Sequence, residues 1–278
     1  MRVTGFQALI LGIVQGLTEF LPVSSSGHLV IFRSILGAYE APLLFDVMLH
    51  LGTVVAVLIA YREDLGRLIA AFFAPRSLGR TQESRYTVAG YRRMFFLLII
   101  SCIPTVILAL ILKPLVEATF SSVGTVGWAL LITGTFLLVS ERFGSERASI
   151  SRFPAISAFI VGIAQGIAAF PGISRSGATI GTSLLLGLRK EEAARYSFIL
   201  SIPVIIGAAL LELKDLLGTG VGGGLVAPMV IGVISAAVSG YIAIRMVLLA
   251  FRKRRFSLFA IYCWIVGGLI IFGRFIAQ

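Results

Sequence analysis

Charge is scarce in this sequence. Asp, Glu, Lys and Arg together make up 13 % of its 278 residues, against about a quarter in ordinary soluble domains, and the mean hydropathy is +0.99. A soluble globular domain is excluded, and no polar stretch long enough for one remains between the apolar runs. Cysteine is equally scarce. Cys102 and Cys263 both lie in apolar runs, where a free thiol packs as a small hydrophobe, so no disulfide framework is expected. Histidine is limited to His28 and His50, and the sequence shows no dedicated metal cage. Strict apolar–polar alternation is missing too. Runs such as FLLIISCIPTVILALIL do not alternate, which excludes a transmembrane β-barrel. What is present is a series of long apolar runs, for example 94 to 112 and 228 to 250. They can cross or nearly cross about 30 Å of hydrocarbon as helices that satisfy their own backbone.

The net charge of +11 does not point to nucleic acid, because the basic residues are segregated as membrane loops segregate them. Residues 62 to 93 carry seven arginines against three acids, and further clusters fall at Arg142, Arg147 and Arg152, at Arg189, Lys190 and Arg195, and at 252 to 255. The intervening gaps at 38 to 46, 113 to 123 and 214 to 227 hold only Lys113 and Lys214. The first set is expected inside and the gaps outside. Threading the chain on that basis gives crossings near 47 to 61, 94 to 112, 124 to 140, 196 to 213, 228 to 250 and 257 to 277. The remaining segments, 5 to 37 and 155 to 188, must each begin and end on one side. Pro, Gly and Ser interrupt both at the centre, so re-entrant hairpins are expected rather than short pairs of crossings, since broken backbone at membrane depth must be buried in protein or line water.

Those two segments align without a gap. GIVQGLTEFLPVSSSGHL at 12 to 29 and GIAQGIAAFPGISRSGAT at 162 to 179 share eight of eighteen positions at an offset of 150, which marks an internal duplication. A signal-peptide reading of residues 1 to 27 does not explain why the segment recurs at 162. The expected fold is therefore all-α: a polytopic integral membrane protein with six transmembrane helices plus two re-entrant helical hairpins. It forms a single membrane domain, 1–278, with inverted-repeat halves 1–150 and 151–278, and the hairpins meet near the midplane.

The unmatched polar residues carry the chemistry. Glu19 and His28 belong to the first copy alone, Arg175 and Thr179 to the second, and such groups are costly in lipid and functional by default. Plainer readings stand beside this. Gly12 with Gly16, and Gly162 with Gly166, make GxxxG pairs that close helix packing explains. Ser24 to Ser26, Ser174 and Ser176 suit helix N-caps, although a serine-rich turn ahead of a helix is also an anion site. Glu19 and Arg175 could form a structural ion pair, and His50, without a motif around it, is left as structural or pore-lining.

QGLTEFLPVSSSGHL together with PGISRSGAT resembles the bacterial undecaprenyl-pyrophosphate phosphatase family, also known for bacitracin resistance, and the resemblance covers essentially the whole chain. It implies an integral enzyme of the bacterial plasma membrane that hydrolyses the C55 prenyl pyrophosphate to the monophosphate carrier used in peptidoglycan synthesis. The active site would open to the periplasmic or outer face. The family's acidic motif falls on Gln15 and Glu19, so Glu19 is its sole carboxylate here, with Gln15 in support. Its serine and histidine positions fall on Ser25, Ser26 and His28, while Ser174, Arg175, Ser176 and Thr179 would contact phosphate together with Ser24. The resemblance also implies a divalent cation, Mg²⁺ or Ca²⁺, bridging pyrophosphate oxygens with Glu19 as the protein group within reach. Expected partners are the prenyl pyrophosphate, membrane lipid and a second copy in a homodimer, and not nucleic acid.

Pyrophosphate hydrolysis needs positive charge on the oxygens and an activated nucleophile, and these residues supply both. Arg175 clamps phosphate, Glu19 is the candidate base, and His28 is either nucleophile or acid. Ser25 is the preferred nucleophile, with His28 and water as the alternatives. The competing class is a secondary transporter or flippase of a lipid phosphate, because inverted repeats and broken helices are shared by both.

Overall fold

The computed structural model describes residues 3–38, 43–73, 88–119, 123–216, 225–252 and 256–276. Two broken helices organise it. The first of them begins at a side-chain cap. In α1, Gly5–Phe20, the Thr4 side chain accepts from the Gln7 N–H while the Gln7 side chain returns the bond to the Thr4 N–H, a reciprocal capping box. The helix stops at Leu21 because Pro22 follows, and the residue before a proline is pushed out of the helical region. After three residues Ser24 caps α2, Ser25–Leu36, which ends on Gly37 at φ 63°, the left-handed stop that glycine allows.

The second broken helix repeats the plan. It runs from α7, Ala155–Ile167, through Pro171 and Gly172 to α8, Arg175–Leu185, capped by Ser174. Gly172 has φ 92°, and a Cβ there would lie 2.5 Å from Ala129 Cβ, so no other residue fits this turn.

Around these hairpins stand the remaining helices: α3 Leu43–Ala60 with the short α4 Arg62–Phe73, α5 Val88–Thr119, α6 Val123–Phe143, α9 Lys190–Leu216, α10 Val226–Arg252 and α11 Ser257–Ile276. Five of the described helices are long and apolar enough to cross a membrane alone, and the α3–α4 pair, bent by 77°, makes a sixth span if taken together. Large apolar side chains such as Ile103, Ile107, Trp128, Leu249 and Leu269 face outward, as lipid contact requires. The protein is an all-α, multi-pass membrane protein.

Two boundaries differ from expectation. Part of the arginine-rich segment 62 to 93 is helical, because Arg62, Glu63, Asp64 and Arg67 hide an apolar stripe whose Leu68 and Ala71 are buried. Helix α5 is also far longer than 94 to 112, and it runs through Pro104 and Pro114.

The glycine pairs act in packing. A Cβ on Gly12 would lie 2.5 Å from the Gly232 carbonyl of α10, and one on Gly162 would lie 2.1 Å from the Ser101 carbonyl of α5. Hydroxyls add matching cross-links, from Ser239 to the Gly12 carbonyl at 3.4 Å and from Thr105 to the Gly162 carbonyl at 2.9 Å. Each hairpin thus seats its first helix on a long helix of the other half. Replacing Gly162 by Ala forces α7 off α5, and overpacking of this kind costs about 1–3 kcal/mol. Gly162→Ala is therefore expected to lower the melting temperature in detergent. Gly207→Ala, where a Cβ meets nothing within 4 Å, should not.

Candidate active site

The end of α1 and the starts of α2 and α8 converge on one carboxylate. Glu19 is 6 % exposed. Its Oε2 accepts the Ser25 hydroxyl at 2.6 Å and the Gln15 amide at 2.9 Å, and its Oε1 accepts Arg175 Nη2 at 2.6 Å. The repeat makes this meeting possible, since Ser25 and Arg175 occupy the same position, the first residue of α2 and of α8. Two helix N-termini, each the positive end of a dipole, are thereby aimed at the same space. Arg175 also donates to the Ser197 carbonyl of α9 at 3.3 Å, which fixes the guanidinium from a second side.

The turn before Ser25 is strained. Ser24 has φ 70° and is the one non-glycine residue with positive φ among the described residues, a conformation that costs about 1–3 kcal/mol. Its counterpart Ser174 sits at φ −76°. Strain is therefore confined to the copy in which a serine follows.

Glu19, Ser25, Ser26 and Arg175 line a cavity of about 340 Å³. One wall is apolar, built from Val204, Ile205, Ala208 and Ala209 of α9. Three polar residues without a sequence motif line it as well: Arg33, Asp46 and His50. His50 Nε2 lies 3.8 Å from Glu19 Oε2. The available signal was helical spacing, with Asp46 and His50 four residues apart on α3 and Arg33 eight after Ser25 on α2.

Four expected phosphate-binding residues lie elsewhere. Ser24 and Ser174 are buried N-caps that accept from the Gly27 and Gly177 N–H groups. Ser176 donates to the Leu21 carbonyl at 3.2 Å and so stitches the hairpins together. Thr179, fully buried, bonds to the Arg175 carbonyl and meets the Ser197 hydroxyl. None of these lines the cavity, and their hydrogen bonds go to the backbone and hydroxyls around the site.

His28 is the largest departure. It is buried, stacks on Tyr262 of α11, and places Nδ1 2.7 Å from the Ser24 carbonyl and Nε2 2.8 Å from the Tyr262 hydroxyl. A carbonyl only accepts, so Nδ1 carries the proton and the tyrosine hydroxyl donates to Nε2. Both ring nitrogens are occupied, and neither reaches the cavity. What His28 does is hold the carbonyl of the strained residue that precedes Ser25.

The donor set decides the expected metal. Both Glu19 oxygens are engaged by Ser25, Gln15 and Arg175, and among the described residues no three His, Cys, Asp or Glu side chains are placed to hold an ion. These residues do not form a cage for a resident cation.

Relatives share nearly the full length of the chain. An undecaprenyl-diphosphatase of Halothermothrix orenii is 46 % identical over 266 residues, 96 % of each chain. Another from Desulforapulum autotrophicum is 42 % identical, covering 98 % of this chain and 99 % of its own. A third, from Methanobrevibacter smithii, is 42 % identical over 96 % of both. Residues 8–269 match the family described as bacitracin resistance protein BacA, and the chain belongs to that family.

Proposed function

We propose that this chain is a membrane phosphatase that hydrolyses undecaprenyl pyrophosphate to undecaprenyl phosphate and inorganic phosphate. It thereby recycles the lipid carrier of peptidoglycan synthesis and confers bacitracin resistance. The observation that carries the reading is the Ser25 hydroxyl donating to a carboxylate that Arg175 holds from the opposite hairpin. A nucleophile, a base and a phosphate clamp then share one cavity with an apolar wall for the prenyl chain.

In the first step Ser25 Oγ attacks the terminal phosphorus, Glu19 Oε2 takes the hydroxyl proton, and the bond to the bridging oxygen breaks, releasing the lipid monophosphate. Arg175 and the N–H groups opening α2 and α8 stabilise the charge on the transferring phosphoryl oxygens. Water then attacks the phosphoserine as protonated Glu19 returns its proton to the departing Ser25 Oγ; one water proton stays on the inorganic phosphate that leaves and the other passes to solvent. A divalent cation, Mg²⁺ or Ca²⁺, would offset the negative charge of the pyrophosphate if it arrived with the substrate, and no residue role above depends on it. The site belongs to the outer face of the bacterial plasma membrane, because the segment between α2 and α3 carries no Lys or Arg. That assignment also sets the second repeat upside down relative to the first.

Purified protein in detergent should release inorganic phosphate from a prenyl pyrophosphate. Movement of lipid phosphate across liposomes without hydrolysis would replace this reading with the transporter. His28 serves here as a positioning residue. Its replacement by Ala leaves the Ser24 carbonyl only the backbone N–H of residue 28, and kcat is expected to fall by up to about tenfold with KM little changed, as losing a hydrogen bond worth about 0.5–1.5 kcal/mol implies. Tyr262→Phe, which removes only the outer partner, should cost less. A KM change without a kcat change in His28→Ala would contradict this role.

A further inference from the structure

Two arginines reach the cavity, and the hydrolytic reading uses only one. Ser25, Leu29 and Arg33 follow one stripe of α2, which places Arg33 about 12 Å along the helix from the nucleophile. Its side chain is 19 % exposed, and that of its ion-pair partner Asp46, from α3, is 18 % exposed. An enclosed charge of this kind is costly unless something repays its lost hydration. Among the described residues, Asp46 engages Nη2 of the guanidinium, whereas Arg33 Nε is buried without a hydrogen-bond partner. Five N–H donors on a rigid fork are more than one carboxylate oxygen can use.

The neighbouring groups form a chain of close polar contacts. Arg175 pairs with Glu19, His50 stands 3.8 Å from Glu19, the Asp46 carbonyl accepts from His50 Nδ1 at 2.8 Å, and Asp46 pairs with Arg33. The cavity thus has a cation at each end and an apolar wall between.

We propose that Arg33 is a second phosphate-binding side chain, with Asp46 as the resident competitor that a phosphate group displaces. This rests on the phosphatase reading and deepens it. At its distance along α2 from Ser25, Arg33 serves a different phosphate group from the one under attack. That group is either the phosphate retained on the prenyl chain or the inorganic phosphate on its way out, and the same guanidinium chemistry recognises both.

The test is binding of inorganic phosphate and of a short-chain prenyl monophosphate to the full-length protein in detergent, by calorimetry. The proteins compared are the wild type, Arg33→Met, Asp46→Asn and the double variant. Arg33→Met should weaken one of the two ligands about tenfold or more, as loss of a charge-assisted hydrogen bond implies. Asp46→Asn should tighten that same ligand, because the competitor is gone while the shape is kept. The double variant should bind weakly yet melt near the wild-type temperature, which separates lost recognition from lost folding. Weakening confined to the prenyl ester assigns Arg33 to the retained phosphate, and weakening confined to inorganic phosphate assigns it to the product. A merely structural ion pair predicts that both single variants shift binding in the same direction, or not at all, and either result overturns the proposal. Turnover of a prenyl pyrophosphate by the same wild-type preparation keeps the two readings apart. Absent turnover with opposite single-variant effects sinks hydrolysis but not the anion subsite, whereas normal turnover without them sinks the subsite alone.

Discussion

Arg175→Ala is expected to lower kcat/KM for a prenyl pyrophosphate by about 10³-fold or more. Three losses add up: the clamp on the phosphoryl oxygens, the partner that aligns the Glu19 carboxylate, and the bond to the Ser197 carbonyl that fixes the start of α8 against α9. Removing one donor from a preorganised charge-stabilising site costs about 10²–10³ in rate. Stripping a buried ion pair of one partner adds a folding penalty of about 3–5 kcal/mol. The double variant Arg175→Ala with Glu19→Gln distinguishes these effects. It should regain much of the stability, because no unpaired charge remains, and none of the activity. Recovery of both would reduce the pair to a structural clasp between the hairpins, and robust turnover in Arg175→Ala alone would remove the shared site altogether.

The second large effect is expected at Ser25. Its hydroxyl is the one group among Ser24, Ser25 and Ser26 that donates to Glu19, and the strained Ser24 turn holds it there. Ser25→Ala should reduce kcat by about 10³-fold or more, since loss of a nucleophile leaves only charge stabilisation and binding. Stability should change little, because the hydroxyl's one partner among the described residues is a carboxylate that Arg175 and Gln15 still satisfy. Ser26→Ala is the natural comparison. Ser26 also lines the cavity but approaches only Ser24 Oγ, at 3.4 Å, and its loss should be far milder.

Much of this arrangement was legible in the residues because the chain contains its own control. The repeat separates matched residues, which make the caps and glycine contacts of both hairpins, from unmatched ones, and Glu19 and Arg175 stand out in that comparison from sequence alone. The same rule does not tell where His28 and Thr179 turn. Both are unmatched, yet His28 turns toward Tyr262 on α11 and Thr179 toward Ser197 on α9. Periodicity tells which residues share a face of one helix, but not which neighbouring helix takes that face.

Arg33, Asp46 and His50 were hidden for the converse reason. Each looks ordinary within its own helix, and they become a group only when α2 and α3 close on the same cavity. The backbone of Ser24 was invisible to any sequence pattern, because Ser174 occupies the matching position with ordinary geometry. Helix α4 was obscured by charge, since Arg62, Glu63, Asp64 and Arg67 depress the apolar signal of a stripe that still buries Leu68 and Ala71.

Acid quenching of the enzyme during turnover of a prenyl pyrophosphate labelled on its terminal phosphate tests the central claim most directly. The account predicts covalent label on Ser25, absent from Ser25→Ala and accumulating if water attack is slowed. Undiminished label in Ser25→Ala, or label on His28, would contradict it.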